Sequence, residues 1–360
     1  MATVTDVMSA LTLRGDGHDS RCGILRALDK LKQCNRFESS RFSANDLELL
    51  YHQRRSCVAR LTMRTSDGDL TIAIKNIRPD NQSEYSNFDQ THDPDNIIKN
   101  ELMIWNALAN HPNVASFLGI TNLNGSIRCD ELSSGERPDS MAVSKYYPEG
   151  SLHGFSSIAS RPADLRLGLL ISAIRGLEYI HSLSIVHGDL KAANLLFKRN
   201  GKSRVKVTDF GSSVVVCQQE CPHQHISQGG SGTLPWDSPE LYRRQNPQPR
   251  SYSSDIWAFG CLALEVQMGL FPYTGRESGD LFLASRLMRK GRLPAIESEV
   301  FSIIQNEPAS QAVWDLIQEC WQKNYEDRPS ASDLRRWLER IQPDCVGGPG
   351  GTGWGVKMDS

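Results

Sequence analysis

The sequence lacks most of the features that would classify it before its motifs are examined. Its first residues, MATVTDVMSALTLRGDG, have no basic start followed by an apolar core, which reads against a secretory signal. No run approaches the roughly 20 apolar residues of a membrane span. An excess of one charge is also missing. The 40 Lys and Arg stand against 42 Asp and Glu, a formal net charge of −2. There is thus no global basic field for nucleic acid and no strongly acidic tail. The nine Cys are odd in number and scattered, with no disulfide framework. Without a signal, reduced thiols in the cytoplasm or nucleus are expected. No repeat is visible and no recruitment domain names a partner; a monomer with no nucleic-acid partner and no membrane span is expected.

What is present is length and a change of pattern along it. The 360 residues suffice for one large domain or two lobes with a substantial core. Residues 1–44 are polar, apart from an apolar stripe at helical spacing in 22–34 (Ile24, Leu25, Leu28, Leu31), read as one short amphipathic packing helix. From Asp46 short strands are expected at 47–51, 57–65 and 70–75, the last two joined by a Ser-Asp-Gly turn. A polar stretch, 76–95, follows. A helix is expected from about Pro94, with Ile97, Ile98, Leu102, Trp105 and Leu108 on one face, broken by His111-Pro112-Asn113. Strands at 114–118 and 141–146 enclose a surface loop or long hairpin. After Gly150 the chain turns helical. Helices are expected at 164–182, at 255–269 (apolar almost all round), and at about 278–290, 310–322 and 331–341. The Gly-rich tail 343–360 reads as disordered.

The chemistry concentrates in 185–211, IVHGDLKAANLLFKRNGKSRVKVTDFG. Asp189 and Asp209 each lead a polar cluster, and Lys191 and Asn194 follow the first. Between them lie an apolar run, an Asn-Gly turn signal and an alternating strand, the pattern of a β-hairpin. A hairpin brings Asp189, Asn194 and Asp209 to one end. Hard oxygen ligands converging there suit magnesium shared with phosphate oxygens.

These residues and six further motifs resemble a eukaryotic protein kinase over about 46–342. Ala73-Ile74-Lys75 resembles the family's Val-Ala-Ile-Lys strand, and Glu101 stands ten residues before His111-Pro112-Asn113, close to the place of the αC glutamate. His187-Gly188-Asp189-Leu190-Lys191-Ala192-Ala193-Asn194 resembles the catalytic loop and Asp209-Phe210-Gly211 the metal-binding motif. Ser238-Pro239-Glu240 stands for Ala-Pro-Glu, Asp255-Ile256-Trp257 with Gly260 for the buried-helix motif, and Arg328 for the arginine that pairs with Glu240. The resemblance implies an α+β, two-lobed protein-kinase-like fold. A small five-stranded β lobe with the αC helix (45–147) would precede a large, mostly helical lobe (148–342).

It also implies roles. Lys75, held by Glu101, would grip the phosphates of ATP, and Asn194 and Asp209 would bind Mg²⁺. Asp189 would accept the proton of a protein hydroxyl and Lys191 would steady the γ-phosphate. Val58, Ala73 and Leu196 would enclose adenine, with backbone groups of Lys145 and Tyr147 bonding it and Ser144 as gatekeeper. Trp105, Phe117, His187 and Phe210 would stack into the column linking the lobes. Lys191 and Thr233 match Ser/Thr enzymes, while Trp236 is more typical of the tyrosine-kinase and tyrosine-kinase-like groups, which together suggests a tyrosine-kinase-like Ser/Thr kinase.

Four departures qualify the resemblance. Tyr51, Gln53 and Ser56 occupy the places of the three glycines that let backbone amides approach phosphate. Arg54 and Arg55 beside them are either substitute phosphate contacts or solvated charges. Gly188 replaces the arginine that in this family commonly receives an activation-segment phosphate. The linker between Lys75 and Glu101 is long, and Glu84 is spaced wrongly to replace Glu101. Cys217, Cys221, His223 and His225 cluster, but at no common zinc spacing. Two other functions stay open: a catalytically silent pseudokinase acting as a scaffold, favoured by the lost glycines, and a small-molecule phosphotransferase. His-Gly-Asp-Leu with Asn five after the Asp also fits the latter; Ser-Pro-Glu, Asp-x-Trp-x-x-Gly and Arg328 discriminate against it.

Overall fold

The computed structural model describes residues 35–37, 47–53, 56–65, 68–77, 94–108, 110–121, 141–153, 158–199, 205–216, 232–243, 246–275, 280–305 and 307–341. The expected 22–34 helix, the loop between residues 121 and 141, the Cys217–His225 cluster and the tail lie outside them.

Among the described residues the small lobe is one sheet covered by one helix. Its strands are β1 (Arg36–Phe37), β2 (Leu47–Gln53), β3 (Ser56–Thr65), β4 (Gly68–Ile77), β5 (Phe117–Thr121) and β6 (Met141–Lys145), in the order β1-β5-β6-β4-β3-β2. Strand β4 shows why this sequence makes a two-faced sheet. Ile72 and Ile74 are fully buried, while Ala73 and Lys75 alternate onto the other face. Helix α1 (Pro94–Ala107) buries Ile98, Leu102 and Trp105 at i, i+4 and i+7.

Five antiparallel strands match the expectation; a sixth corrects it. β1 comes from the extension and runs parallel to β5, pairing Arg36 with Ile120 and Phe37 with Thr121. The Ile120 N–H donates to the Asn35 carbonyl at 3.0 Å. Gly119, at φ +153°, permits this approach, because a Cβ there would collide with that carbonyl. A two-residue strand has no alternation to read in sequence, which is why it was not expected. The expected strand 114–118 also shifts, to Phe117–Thr121. Val114 and Ala115 instead join the large lobe, where the Ala115 N–H donates to the Val207 carbonyl at 2.9 Å.

The large lobe is built on α2 (Ala163–Ser182) and α3 (Tyr252–Ala263). On α2, Leu167, Leu170, Ile171, Ile174, Leu177 and Ile180 are all buried, as their spacing predicts. Helix α3 is buried from Ser254 onward and ends in a π-helical turn, Leu264–Met268, rather than continuing as a regular helix to 269. Short strands β7 (Ile185–Val186), β8 (Leu195–Phe197), β9 (Val205–Val207) and β10 (Val214–Val215) carry the loops between these helices. Helices α4 (Leu281–Arg289), α5 (Glu297–Ile304), α6 (Pro308–Cys320) and α7 (Ala331–Ile341) complete the lobe. Helix α5 was not expected. It buries only Val300 and Ile304 and leaves Phe301 exposed, so its apolar signal is too short to separate from a loop.

Glu240 and Arg328 form the expected brace. The guanidinium reaches both carboxylate oxygens, at 2.6 and 2.9 Å, with the arginine side chain wholly buried.

Candidate active site

Period-two geometry builds the upper wall. Val58 and Lys75 are direct cross-strand partners, and Ala73 lies two residues along β4, so all three share one face. Ser144 pairs with Ala73 across β6 and is buried. The hinge follows. Within it the Lys145 N–H donates to the Ser116 carbonyl at 3.2 Å and the Tyr147 carbonyl accepts from Gly150 at 3.1 Å. Two of the four backbone groups named for adenine are therefore already engaged. Gly150 and Leu152 tie the next segment to β8 through Phe197 and Leu195, which leaves Leu196 half-buried on the opposite face of that strand.

Lys75 is the electrostatic centre. Its ammonium donates to Glu101 Oε1 at 2.6 Å and to Asp209 Oδ1 at 2.7 Å. Burial alone would lower the Lys75 pKa, but the Asp209 and Glu101 carboxylates reverse this and hold it above its ordinary value. Asp209 is pushed up by burial but pulled down harder by Lys75, Lys191 and His187, to about 2. Glu101 moves the other way. Burial outweighs Lys75 there, and its pKa is raised. The one ammonium serves two carboxylates at nearly equal distances. Asp209 has φ +68°, a conformation uncommon outside glycine and found at functional sites.

The aromatic column forms as expected. Trp105 lies 5.7 Å from Phe117 and 6.1 Å from Phe210, and His187 5.5 Å from Phe210, between ring centroids. It ties α1 to both loops, and Asn100 adds a bond to the Ser213 carbonyl at 2.8 Å.

The catalytic-loop residues converge on one carboxylate. Asp189 accepts from Lys191 Nζ at 2.7 Å, Asn194 Nδ2 at 2.9 Å and the Thr233 hydroxyl at 2.7 Å. Lys191 also donates to the Thr233 oxygen. His187 Nδ1 accepts the Asp189 N–H at 3.2 Å, so the Nε2 that faces the Thr208 carbonyl carries the proton. The loop is held from beneath by Asp255, which accepts the N–H groups of His187 and Gly188 at 2.7 and 2.9 Å.

Sequence reasoning missed three residues here. Glu265 accepts the Ala192 N–H at 3.2 Å and the Trp236 indole N–H at 2.7 Å, joining the catalytic loop to the segment after Thr233. Burial raises its pKa to about 7 against those two donors. Asp237 and Arg250 pair at 2.9 Å nearby. Glu265 lies inside an apolar run and belongs to no motif. Asp237 and Arg250 carry no motif.

The donor chemistry fits a divalent hard cation. Asn194 directs its amide nitrogen at Asp189, leaving the oxygen as its ligating atom, and the Asp209 side chain is 40 % exposed despite its bond to Lys75. Among the described residues no cluster of three or more His, Cys, Asp or Glu could hold a metal alone. A cation held by Asn194 and Asp209 would have ligand places open to phosphate oxygens, as magnesium commonly does.

A family model described as "Protein kinase domain" matches residues 55–337. Among curated relatives, "Serine/threonine/tyrosine-protein kinase HT1" of Arabidopsis thaliana is 29 % identical over 243 residues, 66 % of this chain and 52 % of that protein. "Dual specificity protein kinase shkD" of Dictyostelium discoideum is 30 % identical over 238 residues, 66 % of this chain and 28 % of that protein. "MAP kinase kinase kinase wis4" of Schizosaccharomyces pombe is 28 % identical over 280 residues, 74 % and 17 % respectively. The chain spans about half or less of the length of these relatives. No helix among the described residues is long and apolar enough to cross a membrane.

Proposed function

The chain belongs to the protein kinase family, and we propose that it transfers the γ-phosphoryl group of ATP to Ser and Thr hydroxyls of proteins. The observation that carries this reading is the simultaneous closure of two groups of contacts. Lys75 reaches both Glu101 and Asp209, and Asp189 is aligned by Lys191, Asn194 and Thr233. Positioning and charge stabilisation dominate phosphoryl transfer, so a pre-aligned constellation of this kind is most of what the reaction needs. A magnesium ion held at Asn194 and Asp209 would supply neutralisation of the phosphate charge. Lys75 would hold the inner phosphates, with Val58, Ala73 and Leu196 around adenine. A carboxylate offers about four lone-pair sites. Three donors already face Asp189, which leaves one place for the hydroxyl whose proton it accepts. Lys191 can then follow the γ-phosphate. The bond between Thr233 and Asp189 supports a Ser/Thr acceptor, and Trp236 supports a tyrosine-kinase-like grouping. The name of one relative extends to tyrosine and another's to dual specificity, which makes tyrosyl peptides the natural comparison substrate. We place the domain at 45–342, in the cytoplasm or nucleus.

A second reading rests on the lid. Strands β2 and β3 stay paired out to Gln53 opposite Ser56, with no glycine among the three phosphate-facing places. That favours a pseudokinase that holds partners without transferring phosphate. A Mg-ATP thermal shift followed by transfer of labelled γ-phosphate to casein separates the two. Binding with transfer that vanishes in Asp189→Asn and Asp209→Asn supports the enzyme. Binding with no transfer above those variants overturns the enzyme reading.

A further inference from the structure

Gly188, the residue that precedes the candidate base, is gripped at both its N–H and its carbonyl from the start of α3. The Gly188 N–H donates to Asp255 Oδ1 at 2.9 Å, and its carbonyl accepts from Arg250 Nη1 at 2.7 Å. Arg250 immediately precedes the helix cap. Ser251 and Ser254 there exchange side-chain bonds to each other's backbone N–H at 3.2 and 2.9 Å, which fixes the chain from which Arg250 projects.

The same guanidinium reaches the other side of the site. It donates to Asp237 at 2.9 and 3.3 Å, and Asp237 also accepts the Tyr242 hydroxyl at 2.5 Å. Both charges are taken from water, with side-chain exposures of 15 % for Arg250 and 5 % for Asp237. The three groups meet above Gly232. A Cβ on that residue would come within 2.6 Å of Asp237 Oδ1 and within 2.7 Å of both Arg250 Nη2 and the Gly188 carbonyl. The next residue is Thr233, whose hydroxyl bonds Asp189. Gly188 itself has φ +80°, and a side chain there would collide with the Ser212 carbonyl and crowd Arg250 Cδ at 3.1 Å. The glycine thus opens the space that Arg250 fills.

We propose that Arg250 is a positioning residue for phosphoryl transfer, a clamp that fixes the Gly188–Asp189 peptide against the Gly232–Asp237 segment through one guanidinium. Its anion is a carboxylate of the chain itself, so closure of the clamp needs no added charge. The clamp sets the distance between the base and the acceptor-facing Thr233, and leaves the nucleotide contacts of Lys75 untouched.

This rests on the kinase reading, and the test separates the two. Full-length wild type and Arg250→Met are compared for transfer to casein and for backbone hydrogen exchange. The expected result is a fall in kcat of at least tenfold, with KM for ATP changed less than twofold. Exchange should rise in peptides covering 186–191 and 232–238 but not in α6. Arg250→Lys, which keeps the charge and loses the two-acceptor fork, should fold and fall between the two in both readouts. If Arg250→Met does not fold, the Lys variant decides alone. A Lys variant equal to wild type in rate and exchange overturns the clamp, as does a Met variant with unchanged local exchange. If wild type transfers no phosphate, the kinase reading fails, and the exchange measurement still decides whether the clamp exists.

Discussion

The Thr233 hydroxyl donates to the Asp189 carboxylate at 2.7 Å across 44 residues of sequence. This one bond couples the candidate base to the 232–243 segment. A hydrogen bond to a charged group contributes about 1.5–3 kcal/mol, and each 1.36 kcal/mol is about tenfold in rate. Thr233→Val, which preserves shape, should therefore lower kcat by about 10- to 100-fold with little change in KM for ATP. Thr233→Ser should retain most of the rate. Initial-rate measurements on casein check both, and a Val variant as fast as wild type removes Thr233 from the site.

Lys75 predicts a graded series. Lys75→Met leaves Asp209 without the ammonium that holds its pKa near 2, and leaves Glu101 buried without its partner. Transfer should fall by more than about 100-fold and the Mg-ATP thermal shift should shrink, since removing one member of a buried charged cluster strands the others. Glu101→Gln keeps an acceptor for Lys75 but not the charge, so a loss of about tenfold is expected, one lost charge-assisted contact in scale. Equal losses in the two variants would contradict a central ammonium that Glu101 only supports.

Much of this site was legible because its residues come in motifs whose spacing is fixed by local structure. Lys75 and Ala73 sit two apart on a strand, and Asp189, Lys191 and Asn194 sit within one loop. Each pattern could be read without knowing what packs against it. The aromatic column followed from the same resemblance. What stayed hidden was set by tertiary contact alone. β1 exists because Gly119 lets the Asn35 carbonyl approach, which no periodicity records. Glu265 looks like one polar residue in an apolar helix until Ala192 and Trp236 are found against it. Arg250 and Asp237 lie 13 residues apart and acquire meaning only because the guanidinium that holds Asp237 also donates to the Gly188 carbonyl.

Glu265 gives a pH prediction with a definite sign. Its ordinary carboxyl value is 4.5, and burial raises it to about 7 in the folded chain. Between these values the folded protein keeps a proton that the unfolded chain has released. Stability contributed at this position therefore falls as pH rises from about 4.5 to about 7 and is level above that. Glu265→Gln removes the titration. The difference in urea-unfolding free energy, wild type minus Gln, should decrease across pH 5 to 7. A difference independent of pH would return Glu265 to an ordinary ionised carboxylate.

The lid gives the prediction on which activity depends most directly. Tyr51, Gln53 and Ser56 stand where glycine would let amides reach phosphate, and the strand pairing of Tyr51 with Val58 and Gln53 with Ser56 extends through all three. The two residues between Gln53 and Ser56 are Arg54 and Arg55. If phosphate is held here by charge in place of amides, the contact is electrostatic and screened, because exposed charges fade over roughly 8–10 Å at physiological salt. KM for ATP in wild type should then rise with ionic strength. In Arg54→Ala/Arg55→Ala it should start several-fold higher and respond less to salt, with kcat changing less than KM. Titrating the Mg-ATP thermal shift at low and high salt gives the same comparison without needing turnover. A double variant with wild-type KM and wild-type salt response would make these arginines solvated charges. Phosphate grip would then rest on Lys75 and the cation site alone, and the case for a binding module over an enzyme would strengthen accordingly.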